Sequence, residues 1–133
     1  MTTSNPTHKI RNLLSIVELG GYPNFSAVYQ RNGFEVVSVS SSRKAISAIK
    51  KKIPDVIVAE FNYQSDFRDR TSSLESVLAA VARFPKTKMI IFYEKEMQHQ
   101  LEKLLGQFNV FKVLPYPIEE VTLQAVLQSI NDE

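Results

Sequence analysis

Five short apolar runs, each followed by a segment whose apolar residues recur at helical spacing, constrain this chain more than any other feature of it. The clearest is Pro54 to Gln64, "PDVIVAEFNYQ", in which Val56 to Ala59 reads as a buried strand and Glu60 as the acid at its exit into solvent. Before it, "LLSIV" (Leu13 to Val17) and "FEVVSV" (Phe34 to Val39) read as strands. Pro23 to Asn32 reads as a helix stopped by Gly33. Ser40 to Ser42 offer N-caps to a helix carrying Ala45, Ile46, Ala48 and Ile49 on one face.

After an irregular stretch from Phe61 to Thr71, Ser72 and Glu75 suit a capping box. Leu74, Val77, Leu78, Val81 and Ala82 then repeat at the helical period. "KMIIFY" (Lys88 to Tyr93) is a fourth strand, and Met97, Leu101, Leu104, Leu105 and Phe108 mark a fourth helix interrupted at Gly106. "VFKV" (Val110 to Val113) is a fifth strand. Pro117 stands at the expected first position of the last helix, which carries Leu123, Val126, Leu127 and Ile130 as its stripe.

Strand and helix alternate throughout, so right-handed crossovers would lay the strands parallel in an α/β sandwich with helices on both faces. Strands buried on both faces read as continuous apolar runs, as these do. One order for such a sheet is 2-1-3-4-5, with its crevice between the first and third strands. In that order Glu18 and Glu60 meet at the crevice mouth.

Composition excludes several alternatives. At 133 residues and 44% hydrophobic content the chain suits one domain. Without cysteine it forms no disulfide and no thiolate site. Sixteen basic against fourteen acidic residues give +2, too little to argue for nucleic acid from net charge. Lys50, Lys51 and Lys52 close a helix, where the dipole favours cations. No segment has the length of a membrane span or the apolar core of a signal peptide, so a cytoplasmic location is expected. Gly20 and Gly21 form no phosphate-binding glycine motif, and His8 and His99 show no ligand spacing.

Over residues 9–131, with 1–8 as a flexible lead, the chain resembles the receiver domains of two-component response regulators, which have a flavodoxin-like (βα)5 fold. The resemblance rests on the five units, on "KIPDVIVAEF", and on "LPYPIEEVTLQAVLQSI". A working receiver of a phosphorelay holds Mg²⁺ with paired acids after the first strand and accepts phosphate on an aspartate ending the third. A hydroxyl after the fourth strand and a lysine before a proline after the fifth hold phosphoryl oxygens.

Carried onto this sequence, those positions hold Glu18 and Leu19, then Glu60, then Tyr93 (or Phe92 one register away), then Leu114 before Pro115. One acid, the hydroxyl of ordinary size and the lysine are missing. Glutamate also carries its carboxylate about 1.5 Å further out than aspartate, and in-line transfer is sensitive to such displacement. The resemblance thus implies a degenerate pseudo-receiver: no enzyme, no cofactor, no metal, and no phosphorylation.

Glu60 is read as a solvated strand-end acid, with a permanent phosphate mimic as the alternative. Tyr93 is read as filling the vacated pocket, with a rotameric switch as its alternative. Lys112 is read as an edge-strand lysine reaching solvent, the alternative being a bulge that swings it towards Glu60 or Glu18. Leu114–Pro115 is expected to keep the cis peptide of the family's Lys-Pro pair. The functional face implied is that of the fourth helix, fifth strand and fifth helix, with Phe111, Tyr116 and Pro117, for a protein partner or a homodimer; neither nucleic acid nor membrane is expected to bind. Phe61 to Ser73 would either join an interface or fold back over the site. The alternative function is a small-molecule or nucleotide binder using the crevice above Glu18, Glu60 and Tyr93.

Overall fold

A computed structural model describes residues 11–17, 22–61 and 73–132. The elements alternate as β1 (Arg11–Ile16), α1 (Ser26–Arg31), β2 (Phe34–Val39), α2 (Ser42–Lys51), β3 (Val56–Glu60), α3 (Ser73–Val81), β4 (Lys88–Tyr93), α4 (Gln98–Leu105), β5 (Lys112–Pro115) and α5 (Glu120–Asn131). A single 3-10 turn, Lys95–Met97, leads into α4. All five strands lie parallel in the order β2-β1-β3-β4-β5. The expected α/β sandwich and its strand order are therefore observed.

Strand alternation divides the core in two. Leu14, Ile16, Ile57, Ala59, Ile91 and Tyr93 pack with α2, α3 and α4 on one face. Leu13, Val56, Val58, Ile90, Phe92 and Leu114 pack with α1 and α5 on the other. All of β3 is buried, as a central parallel strand must be. Caps set the helix ends. Ser41 Oγ accepts the Lys44 N–H at 3.1 Å to start α2, and Gly33, at φ +87°, turns the chain from α1 into β2.

Several boundaries differ from the sequence reading: β1 ends at Ile16 rather than Val17, α1 is Ser26–Arg31 rather than Pro23 to Asn32, and β3 includes Glu60. β1 begins at Arg11 rather than Leu13, because Arg11 and Asn12 still pair with Phe34 and Glu35 of β2. β5 is Lys112–Pro115 rather than Val110 to Val113, since Ile90 of β4 aligns with Lys112 and Tyr93 with Pro115. Val110 and Phe111 are apolar because they pack against the cores as a lead-in, not because they belong to the ladder. A proline can close β5 because an edge strand spares one row of N–H groups. α5 starts at Glu120, three residues past Pro117, with Ile118 buried in between.

Residues 1–8, Ser72 of the expected capping box, and 62–72 of the long connection lie outside the described residues. Among the described residues no helix is long and apolar enough to cross a membrane.

Candidate functional site

The C-terminal ends of β1 and β3 and the segment leading into α1 enclose a cleft of ≈ 300 Å³. Glu60 is the last residue of β3 and shares the side-chain parity of Val56 and Val58, so its carboxylate turns to the α1–α5 face. There it lines the cleft with Ser15, Tyr22, Phe25 and Phe92. The solvated acid expected from the sequence is in fact buried, with 6% of its surface exposed. Aromatic rings close over the end of the strand: Tyr22 and Phe92 lie 5.6 Å apart, and Phe25 and Phe92 meet edge-on at 5.9 Å.

Tyr22 belongs to this wall for a local reason. It precedes Pro23, and the residue before a proline is disfavoured in a helix; Tyr22 stays ahead of α1, with its ring against Phe92. Its hydroxyl oxygen is buried without a hydrogen-bond partner. Burial raises the Tyr22 phenol well above its ordinary value, and Glu94, Glu60 and Tyr116 add to the rise in that order. The neutral phenol is thereby held in a negative surrounding.

The positions singled out in the sequence separate into three places. Glu18 and Leu19 lie outside the described residues. Tyr93 is buried with the cluster on the α2–α3–α4 face, across the sheet from the Glu60 side chain, so Phe92 rather than Tyr93 borders the cleft. Leu114 is buried in the α1–α5 core, Pro115 ends β5, and Tyr116 follows it. The Tyr116 N–H donates to Tyr93 O at 2.7 Å, and its ring meets that of Tyr22 at 5.5 Å.

The cis peptide bond joins Tyr116 to Pro117, not Leu114 to Pro115. The first X-Pro bond of "LPYP" lies within the extended ladder, whereas the second follows it, where the chain turns towards α5. Lys112 is exposed on the edge strand, which agrees with the plainer of its two readings.

The expected partner face is divided as well. Tyr116 is 41% exposed and Pro117 is exposed beside it. Phe111 lies at the opposite end of β5, half-buried, with its N–H bonded to Met89 O and Lys88 Nζ 5.2 Å from the centre of its ring. Among the described residues no group of three carboxylates or histidines is placed to hold a metal ion. Glu18, the retained acid of the expected metal pair, lies outside those residues.

The sequence reading missed Tyr22. Its only signal was its place immediately after the Gly20-Gly21 pair at a strand exit, where parallel sheets carry their sites.

No protein-family model matches the sequence, and no curated protein does. Solved structures do. A response regulator receiver domain from Clostridium thermocellum superposes with a TM-score of 0.72 at 16% identity, over 92% of this chain and 94% of that one. The chemotaxis protein CheY4 of Vibrio cholerae gives 0.71 at 19%, over 92% and 99%. The receiver domain of a sensor histidine kinase from Pseudomonas aeruginosa, whose structure has a magnesium ion coordinated in the active site cleft, gives 0.65 at 17%, over 92% and 98%. Superposition over nine-tenths or more of both chains holds in all three: the chain has the fold of the response regulator receiver domains.

Proposed function

We propose that this chain is a phosphorylation-independent receiver-like module that regulates through protein contact in a bacterial signalling or transcription-control system. The observation that carries the reading is the composition of the crevice. At the end of β3 stands a buried glutamate walled by Tyr22, Phe25 and Phe92, and no Lys, Arg or His is among the described residues that line it. Among the described lining residues a phosphoryl group would find ring faces, a carboxylate and the Ser15 and Ser38 hydroxyls, but no ammonium or guanidinium to offset its charge. At Leu114, where the resemblance puts the lysine, the side chain is a buried leucine, and Tyr116, which follows β5, meets the Tyr22 ring.

The exposed Tyr116 and Pro117, with Val121 at 81% exposure on α5, supply apolar contact area for a partner or a second copy. This reading is narrower than the face expected from sequence, since it omits Phe111.

The test is titration with Mg²⁺ and beryllium fluoride, a phosphoryl mimic, followed by amide NMR. The Glu60, Phe61, Tyr93 and Tyr116 amides should not move saturably. A saturable shift of these amides that requires both Mg²⁺ and the mimic would overturn the reading.

A further inference from the structure

The formal charge of +2 conceals an uneven distribution. From Val36 to Pro54 the chain carries five of its sixteen cations, Arg43, Lys44, Lys50, Lys51 and Lys52, and none of its fourteen acids, so the remainder has eleven cations against fourteen acids. This segment is the latter part of the edge strand β2 followed by α2. All five cations are exposed, and none of them forms an ion pair among the described residues. Lys50 and Lys51 complement the dipole in the last turn of α2. That role accounts neither for the missing acids nor for the apolar surface beside them.

Two large apolar side chains are left exposed in the same segment, Val37 at 53% and Ile53 at 52%. Val37 borders a dent of ≈ 90 Å³ between the starts of β1 and β2 and the end of α2. Its apolar lining is Leu13, Leu14, Val37, Ala48 and Pro54, and its polar lining is Asn12, Glu35 and Lys52. Small-molecule pockets commonly run from about 300 to 1,000 Å³, so the dent suits one side chain and not a whole ligand. Lys44, Ala48 and Lys51 share one face of α2 by their spacing, and Lys52 lines the dent itself, so cations flank it along the helix. Lys44 Nζ donates to Ser40 Oγ at 3.4 Å. Glu35 is the one acid of the lining; Asp55, the next acid along the chain, accepts the Asn12 N–H at 2.7 Å.

We propose that this flank of β2 and α2 docks an acidic segment of a protein partner through one aliphatic side chain. That side chain enters the dent against Leu14, Val37 and Ala48, and the carboxylates beside it meet Lys44, Lys51 and Lys52. A nucleic-acid backbone would match the charge but leave the dent and Ile53 unused. A bilayer surface would meet the lysines but is too broad to enter the dent. The inference rests on the reading of the chain as a protein-contact module for the class of partner, and adds that partner's chemistry and a second surface. The dent lies towards the N-terminal ends of β1 and β2, away from the Glu60 crevice at the C-terminal strand ends.

Labelled probes titrated against the wild-type chain by fluorescence anisotropy, at about 0.15 M salt, test it. The probes are a peptide with a central leucine flanked by glutamates, the same peptide with serine for leucine, a leucine peptide flanked by lysines, and a thymidine oligonucleotide of equal negative charge. The glutamate-leucine peptide should bind saturably, and more weakly as salt rises. The serine peptide should bind about tenfold more weakly, the oligonucleotide no more tightly than the serine peptide, and the lysine peptide not at all. The double variant Lys51→Glu/Lys52→Glu should lose about tenfold in affinity for the glutamate-leucine peptide. Lys95→Glu/Lys103→Glu makes the same change in net charge at exposed positions just before and within α4, and should cost about twofold at most. Equal affinity for the leucine and serine peptides, an oligonucleotide that binds as tightly as the glutamate-leucine peptide, equal losses in the two double variants, or no saturable binding overturns the proposal. A beryllium fluoride response at Glu60 would overturn the independence of phosphate without altering any of these outcomes, so the two readings fail separately.

Discussion

The ring of Tyr22 meets the ring of Tyr116 edge to face, with 5.5 Å between their centroids and 75° between their planes. This contact joins the segment before α1 to the residue after β5, across the mouth of the crevice. Tyr22 lines the cleft with Glu60, and Tyr116 is 41% exposed.

The pair should be energetically coupled. In a double-mutant cycle with Tyr22→Ala and Tyr116→Ala, followed by urea unfolding, an interaction of about 0.5–1.5 kcal/mol is expected for an edge-to-face aromatic pair. Strict additivity of the two substitutions would show that the rings merely adjoin.

Stability should reside in the sheet and not in surface charge. Ile90 is fully buried at the centre of the α1–α5 core, and Ile90→Ala is expected to cost about 2–5 kcal/mol. Arg31 and Glu120 form a 2.9 Å ion pair between α1 and α5, but their side chains are 54% and 60% exposed. Charge removal at Glu120 should stay within about 0.5 kcal/mol. Denaturant midpoints at equal m-value measure both; a larger loss at Glu120 than at Ile90 contradicts this ranking.

Two local devices have their own costs. Ser41→Ala removes the cap on the Lys44 N–H and should destabilise by about 1 kcal/mol. Gly33→Ala places a side chain at φ +87°, where space is open but the backbone is unfavourable, for about 1–2 kcal/mol. Chemical denaturation would show either substitution to be neutral if the described cap or turn were wrong.

Alkaline pH should weaken the fold through Tyr29. Burial lifts this phenol above its ordinary value of 10.0, so the folded state holds the proton more tightly than the unfolded chain does. The contribution is whole below pH 10.0 and is lost as pH rises from there through the folded-state pKa. Between pH 10.0 and the raised folded-state pKa, wild type should lose up to about 1.4 kcal/mol per pH unit more than Tyr29→Phe does. Urea unfolding of both proteins from about pH 9 to pH 11 measures the difference, and parallel curves would contradict it.

The sheet was legible in the sequence because its information is local. Each central strand announces itself as an apolar run, and each helix by its period and cap, as with Ser41 before α2. β5 was not legible in the same way. "VFKVLPYP" offers apolar residues at both ends, and only the register of Ile90 opposite Lys112, set from across the sheet, chooses among them. The cis bond was misplaced for a related cause: two successive X-Pro bonds give the same local signal. Glu60 was found as the strand's last residue, but its burial was not, because the rings that cover it come from elements distant in sequence. Tyr22 stands outside any periodic pattern. Its importance arises only when β1, β3, β4 and β5 are assembled into one sheet.

The central claim is that Glu60 stands where a receiver accepts phosphate without being able to accept it. Intact mass spectrometry after incubation with acetyl phosphate and Mg²⁺ tests this most directly, on wild type and on Glu60→Asp. Both proteins should keep their unmodified mass, since shortening the acid adds neither an ammonium nor a small hydroxyl beside it. A stable, Mg²⁺-dependent gain of one phosphoryl group on wild type, lost in Glu60→Gln, would contradict the account.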